Sequence, residues 1–298
     1  MANANKDQVT VHQHYVPEFY LKNFTDEGLL FSYDLLWKSF SRKSPAQICY
    51  ADYLYETPVE QHGEKRYALI NDLENHFQKR ETVFKAVVDK AVSIPLESGM
   101  DQHKLTQEDI KILIELATNL FVRNPVVIHM TNEDDLSMMP LNKQKLRDLK
   151  DEIGNFGYEE DQLFRLAYKY EWLDERVNNG FVQLIGKVLN KMQLVIYVTQ
   201  ENGFITSDTP VLLKTFENGD LAMLMLPLSP HHLLTFNALE FPRTIVFLPS
   251  FAVDIINSVY IRGAFKNIKH VYAQKKSDIE RCVRLHEEMK FCSNNENT

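Results

Sequence analysis

Leu194-Val195-Ile196-Tyr197-Val198 is the stretch whose reading decides the fold. Upstream of it, from Asp161 to Leu189, apolar residues return at helical spacing: Leu163, Leu166, Ala167, Tyr170 and Leu173, then Phe181, Leu184, Ile185 and Val188. At about Met192 the period changes, and a β-branched run replaces the helical one. Further strands are predicted at Phe204-Ile205-Thr206, Leu221 to Leu226, Leu233 to Phe236 and Ile245 to Leu248. Gly203, Gly219, Pro227 and Pro230 punctuate them. A helix is expected over Phe251 to Phe265, a strand at Val271-Tyr272, and a last helix from Ser277 to about Met289.

Working back towards the N-terminus, Glu60 to Val92 reads as helical, with Leu69, Ile70, Leu73, Phe77, Phe84, Val87 and Val88 spaced by three, four and seven. Thr106-Gln107-Glu108-Asp109 has the form of an N-cap with an acidic first turn, opening an apolar helix through Phe121. Asn132 to Gly157 is polar and reads as a short helix with a connection. Leu29 to Phe40 follows Gly28 and is rich in aromatics. It predicts a strand, a turn near Asp34 and a second strand towards Pro45. The order does not alternate strand and helix. The expected class is therefore α+β, with an N-terminal β-hairpin arm (10–58), a helical middle (59–190) and a β-rich C-terminal segment with closing helices (191–292), all in one domain spanning 1–298.

Composition narrows the function classes. The 298 residues are 44% hydrophobic and 25% charged, with a net charge of -8, which disfavours a broad basic face for nucleic acid. No apolar run reaches the roughly 20 residues a membrane span needs. Cys49, Cys282 and Cys292 are widely spaced and form no CxxC pair, so a cytoplasmic location is expected. No Walker loop and no GxGxxG is present, and no cofactor is implied. Nucleic acid remains open as a partner, and a membrane is not expected.

Gln13-His14-Tyr15-Val16-Pro17-Glu18-Phe19-Tyr20-Leu21-Lys22-Asn23-Phe24 is unusually apolar for an N-terminus and should dock on the body. Together with Arg123-Asn124-Pro125, Thr206-Ser207-Asp208-Thr209-Pro210-Val211 and Pro227-Leu228-Ser229-Pro230, it resembles a family of uncharacterised bacterial proteins, a domain of unknown function. Its pattern is QHYVPxFYLxxF, then RxP, TSDxPV and PLSP. The resemblance implies no activity. It does imply that His14, Arg123 and Asp208 belong to the signature.

Two readings of these residues compete. In the first, the chain is a hydrolase acting on a phosphodiester or nucleic acid. His14 would move a proton, Arg123 would bind the phosphate and Asp208 would act as base or partner, with Gln13, Tyr15, Glu74, Thr206, Ser207 and His129 around them. Arg123 and His129 also resemble the Arg-x(4–6)-His motif of the HEPN ribonucleases, although Pro125 falls inside it. In the second, the chain is a non-catalytic binding or sensing module. Its signature residues are then buried hydrogen-bonders, Asp208 accepts backbone N–H groups, and Arg123 pairs with a buried carboxylate such as Glu74 or Glu115. Weaker readings are a metal held by His12, His14 and Asp208, Ser207 as a nucleophile without a GxSxG elbow, and an HNH-like start at His14-Tyr15-Val16-Pro17. No metal site is expected.

Overall fold

Gly28, held at φ +78°, turns the chain into the first hairpin, because only glycine takes this left-handed backbone without strain. In a computed structural model, which describes residues 9–61, 64–67, 69–97, 102–125, 128, 151, 158, 160–174, 181–264 and 268–295, this hairpin is β2 (Leu30–Asp34) and β3 (Ser39–Lys43). It is preceded by β1 (His12–His14) and α1 (Glu18–Lys22). Strand β4 (Tyr50–Asp52) then returns to pair antiparallel with β1, setting Gln13 opposite Ala51.

The helical middle begins later than its spacing suggests. Pro58–Gln61 and Glu64–Tyr67 form a small antiparallel hairpin (β5, β6) where the helix was expected from Glu60. The physical reason is that helically spaced apolar residues start only at Leu69; the stretch before it is charged and has no face to bury. Helix α2 runs from Asp72 to Val92, with Leu73, Phe77, Phe84, Val88 and Ala91 buried. Helix α3 (Gln107–Val122) opens on the expected cap: the Thr106 hydroxyl accepts the Asp109 N–H at 3.1 Å, and the Asp109 carboxylate accepts the Thr106 N–H at 2.7 Å. Helices α4 (Glu160–Leu173) and α5 (Phe181–Leu189) complete the layer. The stretch read as a connection, Asn132 to Gly157, lies outside the described residues apart from Asp151.

The decisive β-branched run is β7 (Gln193–Val198), inside a five-stranded sheet. Its order is β12 (Ile245–Phe247), β7, β11 (His232–Asn237), β10 (Leu221–Ser229), β9 (Leu212–Thr215). Only the β12–β7 pair is parallel. β10 bulges between Pro227 and Ser229, which accommodates a proline that cannot donate to the ladder. Leu224, Leu226, Leu234, Ile196 and Val198 pack in one core with Val88 and Ala91 of α2 and Leu113 and Leu116 of α3. Met225, Leu233 and Leu212 turn the other way, into a second core with Val253 and Tyr260 of α6 (Ser250–Ala264). Burial on both faces explains why β10 reads as continuously apolar. Full burial of each such side chain contributes about 1.5–3 kcal/mol.

A four-stranded sheet, ordered β3, β2, β13 (His270–Ala273), β8 (Thr206–Ser207), joins the arm to the C-terminal part. Helix α7 (Lys276–Asn295) closes the chain and extends past the expected end at Met289. One face of this sheet, carrying Tyr33, Phe40, Val271 and Ala273, packs into the second core together with Ile279 and Cys282 of α7. The opposite face carries the polar residues described next. The architecture is α+β. Among the described residues, no helix is long and apolar enough to cross a membrane.

Candidate functional site

The four motifs meet one another. Gln13 is fully buried in β1; its amide nitrogen donates to Glu56 at 3.0 Å, and its carbonyl oxygen accepts the Tyr55 N–H at 2.7 Å. Arg123 ends α3 and is 2% exposed. Its Nε donates to the Tyr55 hydroxyl at 2.8 Å, its Nη2 donates to the His14 carbonyl, and its Nη1 lies 3.3 Å from a Glu81 carboxylate oxygen. The guanidinium also sits 4.2 Å over the Phe77 ring. Next along the chain, the Asn124 amide donates to the Asp208 carbonyl at 2.9 Å and to the Thr209 hydroxyl at 3.0 Å. The Tyr20 hydroxyl bonds Thr206 at 2.8 Å and donates to the Pro227 carbonyl at 2.6 Å, while the Asn23 amide donates to the Leu228 carbonyl at 3.0 Å. The arm, the end of α3, the 206–211 segment and β10 are thus tied into one polar knot.

Arg123 pairs with Glu81, and not with Glu74 or Glu115 as expected from sequence. Glu81 lies seven residues beyond Glu74, on the same face of α2, so spacing alone could not choose between them. Glu115 is bound by Arg80. Glu74 is buried; one carboxylate oxygen accepts from Gln78 at 3.1 Å, and the other has no partner. Burial raises both the Glu74 and Glu81 carboxyls, and Arg123 pulls each back down.

The ring of His14 is half-buried, and its Nε2 has no partner. Burial lowers its affinity for a proton, partly offset by the nearby Glu18 carboxylate. Tyr15 is also half-buried, and burial raises its hydroxyl. Asp208 is 6% exposed, and its carboxylate accepts the backbone N–H groups of Lys269 at 3.1 Å and His270 at 3.2 Å. The Ser207 hydroxyl meets Tyr260 at 3.0 Å and accepts the Thr209 N–H. His129 lies outside the described residues. His12 shares the face of β1 with His14, both in ring contact with Tyr50, and pairs with Asp52 at 2.8 Å. Among the described residues, no three His, Cys, Asp or Glu side chains are grouped to hold a metal ion.

Beside the knot lies an open cleft of about 510 Å³. Its floor is the polar face of the four-stranded sheet, and strand register builds it in rows. Ser39, Asp34 and His270 are cross-strand neighbours in one row; Ser41, Ser32, Tyr272 and Thr206 follow in the next. Lys43 lies one step further along β3. Gln47, Ile48, Cys49 and Tyr50 form a wall with Tyr15. Cys49 is held at φ 57°, a strained backbone for a non-glycine residue, and its carbonyl accepts the Tyr15 N–H at 2.9 Å.

His270 is the central titratable group of the cleft. Its Nε2 lies 3.2 Å from Asp34, and its Nδ1 lies 3.6 Å from Asp208. Asp208 and then Asp34 raise the imidazole above its ordinary range, against the opposing effect of burial. Asp34 also accepts the N–H groups of Leu36 and Trp37, each at 2.8 Å, which hold its carboxyl below the usual range. The Cys49 thiol is driven upward by burial and donates to the Tyr272 hydroxyl at 3.6 Å. Ser32, Asp34, Ser39, Ser41, Lys43 and His270 were not singled out from sequence. The available signal was the strict alternation of polar residues at 32 and 34 and at 39, 41 and 43, on strands whose other face is aromatic.

The chain belongs to the family described as protein of unknown function (DUF4238), whose model matches residues 12–277. No curated protein and no solved structure matches it.

Proposed function

We propose that the chain is a non-catalytic module that binds a small polar molecule in the cleft between the β2–β3 hairpin and the 47–50 wall. The motif residues then serve to build and fix that wall. The observation that carries this reading is the saturation of Arg123 and Asp208: all three guanidinium nitrogens of Arg123 are engaged by protein groups, and the Asp208 carboxylate is occupied by two backbone N–H groups and His270. Groups already bonded inward are poorly placed to grip a substrate. The cleft, by contrast, is open, polar and of ligand size. The two buried free thiols, Cys49 and Cys282, suit a reducing compartment such as the cytoplasm.

A thermal-shift screen against nucleosides, nucleotides, sugars and sugar phosphates tests it, run in parallel on wild type and on Ser41→Leu, which fills the cleft from an exposed strand position. At least one class should raise Tm in wild type and not in the filled variant. An equal shift in both proteins, or no shift in wild type, would sink the reading.

A second reading, hydrolysis of a phosphodiester, is favoured by one arrangement: Asp34, His270 and Asp208 in line at the edge of an open cleft. Here His270, more than His14, would move the proton, with Asp208 holding it and Arg123 fixing the wall. Turnover of bis(4-nitrophenyl) phosphate or RNA, abolished in His270→Gln, would support it. Activity that survives this substitution, or none in wild type, would remove it.

A further inference from the structure

The residues that line the cleft differ in what they still have to offer. Its acceptors are spent: Asp34 is taken by two backbone N–H groups and His270, and Asp208 behind it by two more and the same ring. Its donors are not. Ser32 is 4% exposed, lines the cleft, and its hydroxyl meets no partner among the described residues. That hydroxyl borders the open cleft and is free to bond whatever occupies it. Ser39 and Ser41, on the neighbouring strand, also make no side-chain hydrogen bond, and Lys43 makes no ion pair among the described residues. Strand register sets Ser41 directly opposite Ser32 and places Lys43 two residues on, on the same face. Three hydroxyls and one ammonium therefore converge on the same space from two strands.

Charge points the same way. The two carboxylates at the cleft edge would repel an anion if left bare. His270 lies between them, and Asp34 is further neutralised by backbone dipoles. Among the described residues, Lys43 is then the one lining cation not already committed to a protein carboxylate.

We propose that the ligand of this cleft carries a phosphate group, bound by the Lys43 ammonium and the hydroxyls of Ser32, Ser39 and Ser41. The inference rests on the cleft being the binding site and names the chemistry it selects. Charge-assisted hydrogen bonds from an ammonium to phosphate oxygens supply the attraction, and the serines fix the orientation. Tyr50, exposed at the rim and in ring contact with His12 and His14, offers a flat face to the rest of the molecule.

Phenyl phosphate, benzoate and phenol form a matched set for the test, titrated into the full chain with binding read by isothermal calorimetry and NMR line broadening. Phenyl phosphate should bind, with phenol and benzoate weaker by roughly tenfold or more. Lys43→Ala should weaken phenyl phosphate by roughly tenfold, with Ser32→Ala adding a further loss. Both substitutions remove groups without partners among the described residues, so the fold should hold. Equal binding of phenol or benzoate, or phenyl phosphate binding unchanged in Lys43→Ala, overturns the phosphate assignment. If that binding still disappears in Ser41→Leu, the cleft itself survives as the site. No binding of phenyl phosphate at millimolar concentration overturns the assignment as well.

Discussion

Two polar regions lie side by side in this molecule and are built on opposite rules. In the knot around Arg123, donors and acceptors from four separate segments are paired with one another, and Arg123 is 2% exposed. In the cleft around Ser32 and Lys43, acceptors are paired and donors are left over. The difference teaches how to separate scaffold from site. Polar residues that fold a chain are satisfied by that chain, whereas polar residues that await a ligand are not. Among the described residues, the knot has two loose ends, His14 Nε2 in the arm and one oxygen of Glu74 on α2.

The comparison breaks first if Arg123 proves dispensable. Arg123→Ala strands the Glu81 carboxylate and removes the clamp on the His14 carbonyl, and should cost about 3–5 kcal/mol. Urea unfolding measures it, and a loss below about 1 kcal/mol, typical of a surface pair, would mean the knot is not what holds the arm. Tyr20→Phe is the gentler probe. It deletes one hydroxyl and leaves the Pro227 carbonyl and Thr206 unmet, for about 1–3 kcal/mol.

The pH dependence of stability sharpens the comparison at its border. Asp208 and Asp34 raise the His270 imidazole in the folded chain. Its contribution is therefore full below the ordinary histidine pKa of about 6.5 and is lost as pH rises through the higher folded value. His270→Gln should flatten that decline between neutral and mildly alkaline pH. The buried Glu56, Glu74 and Glu81 carboxyls, also raised in the folded chain, act with the same sign at lower pH, losing stability as they ionise. The difference between wild type and variant thus isolates the ring, and an unchanged slope would detach His270 from its two carboxylates. The smallest effect belongs to the cleft: Lys43→Ala should move stability by no more than about 0.5 kcal/mol.

The legible parts of the chain were those set by local pattern. The hairpin after Gly28, the Thr106 cap and the strand at Leu194 each follow from residues within one turn or one strand of one another. The arm was also legible as an anchored segment, because Tyr20, Leu21 and Phe24 could not stay in water. What was hidden depends on distant pairing. Arg123 meets a carbonyl 109 residues away, and no spacing rule finds a carbonyl. His270 becomes a titrating centre only because β13 lies between β2 and β8. The polar alternation of β2 and β3 was visible, but an ordinary solvated face writes the same pattern until the 47–50 wall covers it.

Stability and ligand response measured together on Arg123→Ala and Lys43→Ala test most directly the claim that the knot folds the chain and the cleft serves a ligand. Denaturant unfolding with and without phenyl phosphate supplies both. The expected result is a crossed pattern: Arg123→Ala loses several kcal/mol, about 3–5, while its folded fraction still gains stability from the ligand. Lys43→Ala keeps its stability and loses that gain. A normally stable Arg123→Ala that no longer responds, beside a Lys43→Ala that responds like wild type, would contradict it.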